Sequence, residues 1–488
     1  MLGPAKPRDL DRPVIVSLEA LVPRNHFYRH LERTLDLAFV RDLVAPCYAG
    51  NGRPSIDPVV FFKLHLIMFF EGLRSERKLI EIASLNLAHH WYLGYHLDEP
   101  LPDHSSLSKI RTRLGLPVFR RFFEAVVDQC ADAGLVWGEE LIFDATKVRA
   151  NAAMDSLVPV LRLVDEHLTA LEEAGQDALT APVPTLAETN AARWELLEEC
   201  RLDPERAPTS YYERKSDGRV STTDPDASLM KPPGERARLG YHDHYVVDGG
   251  KARIILHALV TPGDVMENQP MLDLLRRVTF RRRLRPKRVI ADTTYGTIEN
   301  IRAIEGEDDI RAYVPLPDWE GQTGYYGPTQ FTYDHEQDVY VCPQGEVLRP
   351  SRQEWKAEKT EYRAEAAICN RCPVKAACTT STQGRQVHRS FHAGYLDQVR
   401  GYHETEEYKK AIRKRKVWVE PLFGEAKQWH GMRQFRLRGL KKVNMEGLMV
   451  ATGQNLKRLL QAEGWGRRPW PGGAAMVGGQ LPHRLARR

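Results

Sequence analysis

Three acidic residues of this sequence stand where an acid costs free energy unless a cation neutralises it. Asp144 interrupts the apolar run LIFDATKV (141–148), and Asp292 closes a second one, RVIAD (288–292). Glu420 lies among Val417, Val419, Leu422 and Phe423 inside KKAIRKRKVWVEPLFGEAKQWHGMRQFRLRGLKK (409–442), which carries twelve Lys and Arg. Alone, that segment reads as a solvated basic helix whose Glu makes i,i+4 pairs. With two acid-bearing strands it reads differently. Hard divalent cations such as Mg²⁺ or Mn²⁺ take oxygen ligands, and two of them about 4 Å apart can activate an attacking oxygen and stabilise a leaving one. Bases around such a site would hold a polyanion. On a helix, Arg413, Lys416, Glu420 and Lys427 share one face, although Pro421 can re-set the helix there.

A second cluster is built from sulfur. Cys342 stands in YVCPQGE, and Cys369, Cys372 and Cys378 stand in CNRCPVKAAC, so four of the seven cysteines fall within 37 residues. Four thiolates that include a C-x2-C pair suit a structural Zn²⁺. Cys47, Cys130 and Cys200 are isolated and read as core residues.

The elements that must position these residues change character along the chain. Residues 22–135 read as helices: Asp57 and Pro58 start one, Ser75 caps a second, Ser105 or Ser106 caps a third that Gly115 and Pro117 stop, and a fourth ends at Gly134. Lys109, Arg111 and Arg113 on the third make this part either a helix-turn-helix reader of DNA or a helical packing and dimerisation domain. From residue 141 the period becomes that of strands. LIFDATKV is followed by an acidic helical insertion (155–215), by loop and turn at 221–230, and by GYHDHYVV and ARIILHALV, joined by the hairpin signal Asp248-Gly249-Gly250-Lys251. Then come a helix limited by Pro270, the strand ending in Asp292, a helix from about Thr297 and the strand RAYVPL. Strand with acid, two strands, helix, strand with acid, helix, strand, and later a helix with acid is the order of ribonuclease-H-like nucleases. His242 and His244 share a strand face and read as packed residues, whereas Asp224, Asp226 and Asp264 read as turn-capping residues.

At 488 residues and 42% hydrophobic content the chain can fill two to four cores. Its net charge is only +5, but residues 276–288 (RRVTFRRRLRPKR) hold eight bases and no acid, which predicts a polyanionic partner such as DNA. The run VVFFKLHLIMFF (59–70) is too short to span a bilayer, and MLGPAKPRDLDRP has no apolar signal core, so the chain is expected in the cytoplasm.

The blocks GRPSIDPVVFFKLHLIMFFEGLRSERKL, LIFDATKVRANAA, VSTTDPDASLM, VIADTTYG and FTYDHEQDVYVCPQGE together resemble DDE-type insertion-sequence transposases over nearly the whole chain. The resemblance implies an α+β chain with a helical N-terminal domain (1–135) for DNA binding or dimerisation. It implies an RNase-H-like α/β catalytic domain (136–315 plus 405–462), a cysteine-rich, zinc-ribbon-like insertion (316–404) and a disordered basic tail (465–488). Within the Y-x2-R-x3-E-x6-K signature of that clan, Glu420 and Lys427 match, Lys416 replaces the arginine and Arg413 stands at the tyrosine position. It further implies Asp144, Asp292 and Glu420 as ligands of two Mg²⁺ (or Mn²⁺) ions. Cleavage at the element's terminal inverted repeats and strand transfer into target double-stranded DNA would follow, carried out by a homodimer with no nucleotide cofactor and no membrane. A DNA-binding relic and a two-metal nuclease without strand transfer are the rival readings.

Overall fold

The computed structural model describes residues 13–51, 55–173, 218–231, 234, 236–317 and 324–465. The N-terminal part is helical, as its caps and spacing predict. Asp57 accepts the Val59 N–H (2.9 Å), and Pro58 takes the first position of helix Pro58–Phe70, where a missing N–H costs nothing. That helix is apolar on every side and is correspondingly buried. Ser75 caps Glu76–Ser84 as expected. Asp103, not Ser105 or Ser106, caps the next helix: it begins two residues early, and the Asp103 carboxylate accepts the Ser105 N–H (2.8 Å). The two helices expected on either side of Gly115 run together as His104–Asp132, kinked at Gly115, whose φ of +67° suits glycine.

The central sheet has six strands. β1 (Glu140–Arg149) is followed by a separate antiparallel pair, β2 (Leu157–Pro159) and β3 (Arg219–Ser221). The sheet then takes β4 (Ser228–Met230), β5 (Arg238–Asp248), β6 (Ile255–Pro262), β7 (Arg288–Ile290) and β8 (Arg311–Tyr313). β5 pairs antiparallel with β1 on one edge and with β4 and β6, end to end, on the other, whereas β7 and β8 continue from β1 in parallel. The β5–β6 hairpin forms where expected. Residues 221–230 are not all loop, because β4 pairs there with the start of β5.

The free edge of β6 is closed by side chains. The Asn444 amide donates to the Val260 carbonyl and accepts its N–H (both 2.8 Å), and Asn455 does the same for Ile255 (2.8 and 2.9 Å). Both asparagines belong to the long helix Leu440–Ala462. Eleven helical residues rise about 16.5 Å, and five strand residues cover about the same length. Residues five apart in a regular strand face opposite edges; the β-bulge opposite Val246 and Val247 restores the common side. Gly439 and Leu440 donate their N–H groups to Asp224 (3.0 Å) and Asp226 (2.6 Å), so these aspartates cap a helix more than 200 residues away rather than their own turn.

The same helix packs on His104–Asp132, Pro58–Phe70 and β6, and a single hydrophobic core runs from Val22 to Leu460. The basic run expected to hold DNA is used in this junction. Arg277 and Arg281 pair with Glu124, Arg282 with Asp128, Lys287 with Glu139 and Arg288 with Glu140. Only Arg283 and Arg285 of the run stay exposed without a described acidic partner. The cysteine-bearing segment is a five-stranded antiparallel meander with a small core of its own: β9 (Thr332–Asp334), β10 (Val339–Val341), β11 (Val347–Glu354), β12 (Lys359–Ala364) and β13 (Gln386–Ser390). Of the acidic insertion, residues 155–173 are described, ending in helix Val160–Glu173, whereas the remainder, with Cys200, lies outside the described residues. Of the tail, Trp465 packs edge-on against Phe27, with ring centroids 5.3 Å apart, and 466–488 lie outside the described residues. No described helix is long and apolar enough to cross a membrane.

Candidate active site

The parallel pairing of β1 and β7 sets the first two acids level. Ile142 lies opposite Ile290, and Asp144, midway along β1, and Asp292, just past the end of β7, each follow two residues on in segments that run the same way. Asp144 is buried; its Oδ1 accepts the Ala145 N–H (2.9 Å) and its Oδ2 pairs with Arg415 (2.9 Å). Burial pushes its carboxyl up to about 7 against the pull of Arg415, with the Asp292 charge adding to the rise. Asp292 is half-buried, and its Oδ1 accepts the Thr294 N–H (2.8 Å).

Glu420 arrives from a helix break. Helix Glu406–Trp418 stops, Val419 turns the chain, and Glu420–Trp429 begins with Glu420 and Pro421 in its first turn. The expected continuous face is therefore divided between two helices. Glu420 remains over half exposed, with its Oε1 3.9 Å from the Arg415 guanidinium that also holds Asp144. Lys427, one helical stretch further on, donates to the Thr146 hydroxyl (2.5 Å), on the same face of β1 as Asp144. Lys416 and Arg413 are exposed, and Arg413 points into a groove away from the acids.

Sequence reasoning missed two members of this site. Arg415 was one base among twelve, and only the fold singles it out as the residue touching both Asp144 and Glu420. Glu267 lies just past β6, which runs in the direction of β1 and β7; its charge acts on Asp144, and the Asp292 charge acts on it. Burial raises its carboxyl while Lys147 lowers it, and its Oε1 is 3.7 Å from His242 Nε2. The signal was available: an acid following a strand that shares the direction of the other acid-bearing strands. His242 and His244 are buried, bonded to the Val265 carbonyl and the Thr261 hydroxyl.

Residues 16–113 match the transposase domain family DUF772, and residues 341–460 match the family of transposase DDE domains. Together the two matches support a DDE-type insertion-sequence transposase. No curated protein and no solved structure matches it. The second match takes in Glu420 and Lys427, whereas Asp144 and Asp292 lie upstream of it.

The first match takes in the three bases expected at DNA, and they do not share a role. Arg111 is 4% exposed and pairs with Glu76 within the N-terminal helices, so it is not available to phosphate, and Glu76 in turn joins those helices to the rest of the chain through Arg436 (2.8 Å). Lys109 and Arg113 are exposed, and Arg113 lies over the Tyr48 ring. Cys342, Cys369, Cys372 and Cys378 line one cavity of about 40 Å³. Cys342 Sγ accepts the Gln344 N–H (3.4 Å) in a turn closed by Gly345, at φ +82°. Burial raises the Cys378 thiol, and the three other sulfurs add to it. Among the described residues no group of three or more His, Cys, Asp or Glu is drawn together tightly enough to hold a metal ion as placed. In the acid site the Arg415 guanidinium supplies the positive charge.

Proposed function

We propose that the chain cuts DNA at the ends of its element and joins them to target DNA, with Asp144, Asp292 and Glu420 as the acids that hold two Mg²⁺ or Mn²⁺ ions. The observation that carries this reading is the level placement of Asp144 and Asp292 on parallel neighbours, with Glu420 on the same guanidinium as Asp144. An antiparallel β6-β5-β1 half continued by parallel β7 and β8 supports an RNase-H-like catalytic fold. The donors are all oxygen and Asp144 is buried enough to need a cation, so the set fits hard divalent ions, which DDE transposases use. Bound there, the ions would supply an activated water at neutral pH and charge for the leaving oxygen.

The protein's own part is positioning. β1 and β7 fix two carboxylates on the sheet, and the Pro421 helix start aims the third. Lys427 holds a phosphate beside Thr146, with Lys416 further along the backbone. Arg415 neutralises Asp144 and Glu420 in the absence of metal, a role that bound ions would take over. The four cysteines hold a structural Zn²⁺, supported by their common cavity and the N–H donated to Cys342. Lys109 and Arg113 contact DNA from the N-terminal helices. Two copies act together on paired ends in the cytoplasm, at the nucleoid.

The test is cleavage of a labelled duplex bearing the element's own end, with Mg²⁺ or EDTA, by the native chain and by Asp292→Asn. Metal-dependent nicking at the end, lost in the variant while binding persists, is expected. Specific binding without cleavage under any divalent ion would make the chain a DNA-binding relic, and cleavage without joining would make it a nuclease.

A further inference from the structure

At the end of the sheet away from the acids a groove of about 1340 Å³ opens. Its walls are the β5–β6 hairpin, the segment 134–137 that leads into β1, one face of helix Glu406–Trp418 and the last turns of Leu440–Ala462. The chemistry of these walls is basic and aromatic. Lys414 Nζ lies 5.4 Å from the Trp137 ring centre and 4.9 Å from that of Trp418, and it is bonded to Glu140 (2.5 Å) and the Gly249 carbonyl (2.6 Å). The Trp418 indole N–H donates to the Gly250 carbonyl (2.9 Å), which locks that ring. Trp137 is nevertheless 45% exposed and Val417 56%.

Glu425, the acid in the lining, is held by Lys457 and Arg458. Lys251, Lys410 and Arg413 are exposed and have no acidic partner among the described residues. A locked ring and an exposed one beside uncompensated cations are what an unpaired nucleic-acid strand needs: bases stack on the rings and phosphates meet the cations. A paired duplex would offer the rings no free base faces. One helix joins this groove to the acids, since Arg415 touches Asp144 from the neighbouring face of the helix that turns Lys410, Arg413 and Lys414 to the groove.

We propose that this groove is a second nucleic-acid site, which holds a single-stranded stretch of the DNA being processed. The proposal rests on the reading of the chain as an enzyme acting on DNA, but its test needs no cleavage. The full chain in EDTA is titrated into a fluorescein-labelled oligothymidine of about 12 nucleotides, within the usual range of such sites. A blunt duplex of the same length, lacking the element's end, is the comparison. The native chain is expected to bind the single strand more tightly than the duplex. Lys410→Glu with Arg413→Glu is expected to weaken single-strand binding more than tenfold and to lower the slope of log affinity against log salt by about 1.4, for two phosphate contacts. Trp137→Ala, which leaves the charges in place, is expected to cost roughly five- to a hundredfold with little change in slope. Circular dichroism of each variant checks that it is folded.

Unchanged single-strand affinity in both folded variants overturns the proposal, and so does a native preference for the duplex. Failure of end cleavage by the native chain, with groove binding intact, would sink the catalytic reading and leave this site standing.

Discussion

Arg415 decides how the acid site behaves without metal. It is the cation between Asp144 and Glu420, and its pair with Asp144 is mostly buried. Removing one partner of such a pair leaves an uncompensated charge, at a cost of about 3 kcal/mol or more. Arg415→Ala is therefore expected to lower the melting temperature in EDTA, and millimolar Mg²⁺ is expected to narrow the gap, because a divalent ion can take over the neutralisation. A gap that ignores metal would mean that no ion reaches Asp144. Glu267 tests the site from the other side. Glu267→Gln is expected to lower end cleavage by about 10- to 100-fold and to raise the metal concentration required, as supporting residues of metal sites do. Full activity at unchanged metal demand would remove it from the site. Single residues were unevenly legible in the sequence. Asp144 and Asp292 stood out because an acid in an apolar strand is a misfit in any fold. Arg111 misled for the complementary reason: a base on a helix says nothing of its direction, and this one faces Glu76 inside the molecule.

At the scale of elements, the pairing of β6 with helix Leu440–Ala462 deserves the first experiment. Asn455→Leu keeps the size of the side chain but orphans the N–H and the carbonyl of Ile255, each worth roughly 1–3 kcal/mol when left buried and unbonded. The loss should be plain in urea denaturation, while Asn455→Asp, which still accepts the N–H, should lose less. Equal stability of Asn455→Leu and the native chain would mean that water replaces the amide. The cysteine sheet offers a second element to test. One Zn²⁺ per chain is expected by elemental analysis, absent in Cys372→Ser, and its removal by a chelator should loosen β9–β13 while leaving the large core intact, since the two cores are separate. Strands and caps of the sheet were readable because period and turn chemistry are local. The β6 edge was not, for nothing at Ile255 announces an asparagine 200 residues later.

Across the whole molecule, buried acids set the dependence on pH. Burial raises Asp224 to about 6 and Asp243, which faces Lys427 and Tyr245, to about 8, against about 3.9 in an unfolded chain. Between these values the folded state holds protons that the unfolded state has released. The stability contributed by these groups is thus complete below about pH 4 and is lost as pH rises toward about 8. Asp243→Asn has no proton to lose there. Its melting temperature relative to the native chain, measured in EDTA, is expected to rise between about pH 6 and about pH 9. A constant difference would mean that Asp243 is already ionised at the lower pH.

The asparagine-bearing helix also has a place in time. It covers a strand made about 200 residues earlier and grips helices made before that. Until it emerges, β6 keeps an open edge and the first helices lack the surface they close upon. A nascent chain at that stage already carries Asp144 and Asp292 but has no finished scaffold to hold them to Glu420. Emergence of this helix and assembly of the acid site are in this way the same event, and a chain that stops before it should be found in aggregates rather than on DNA.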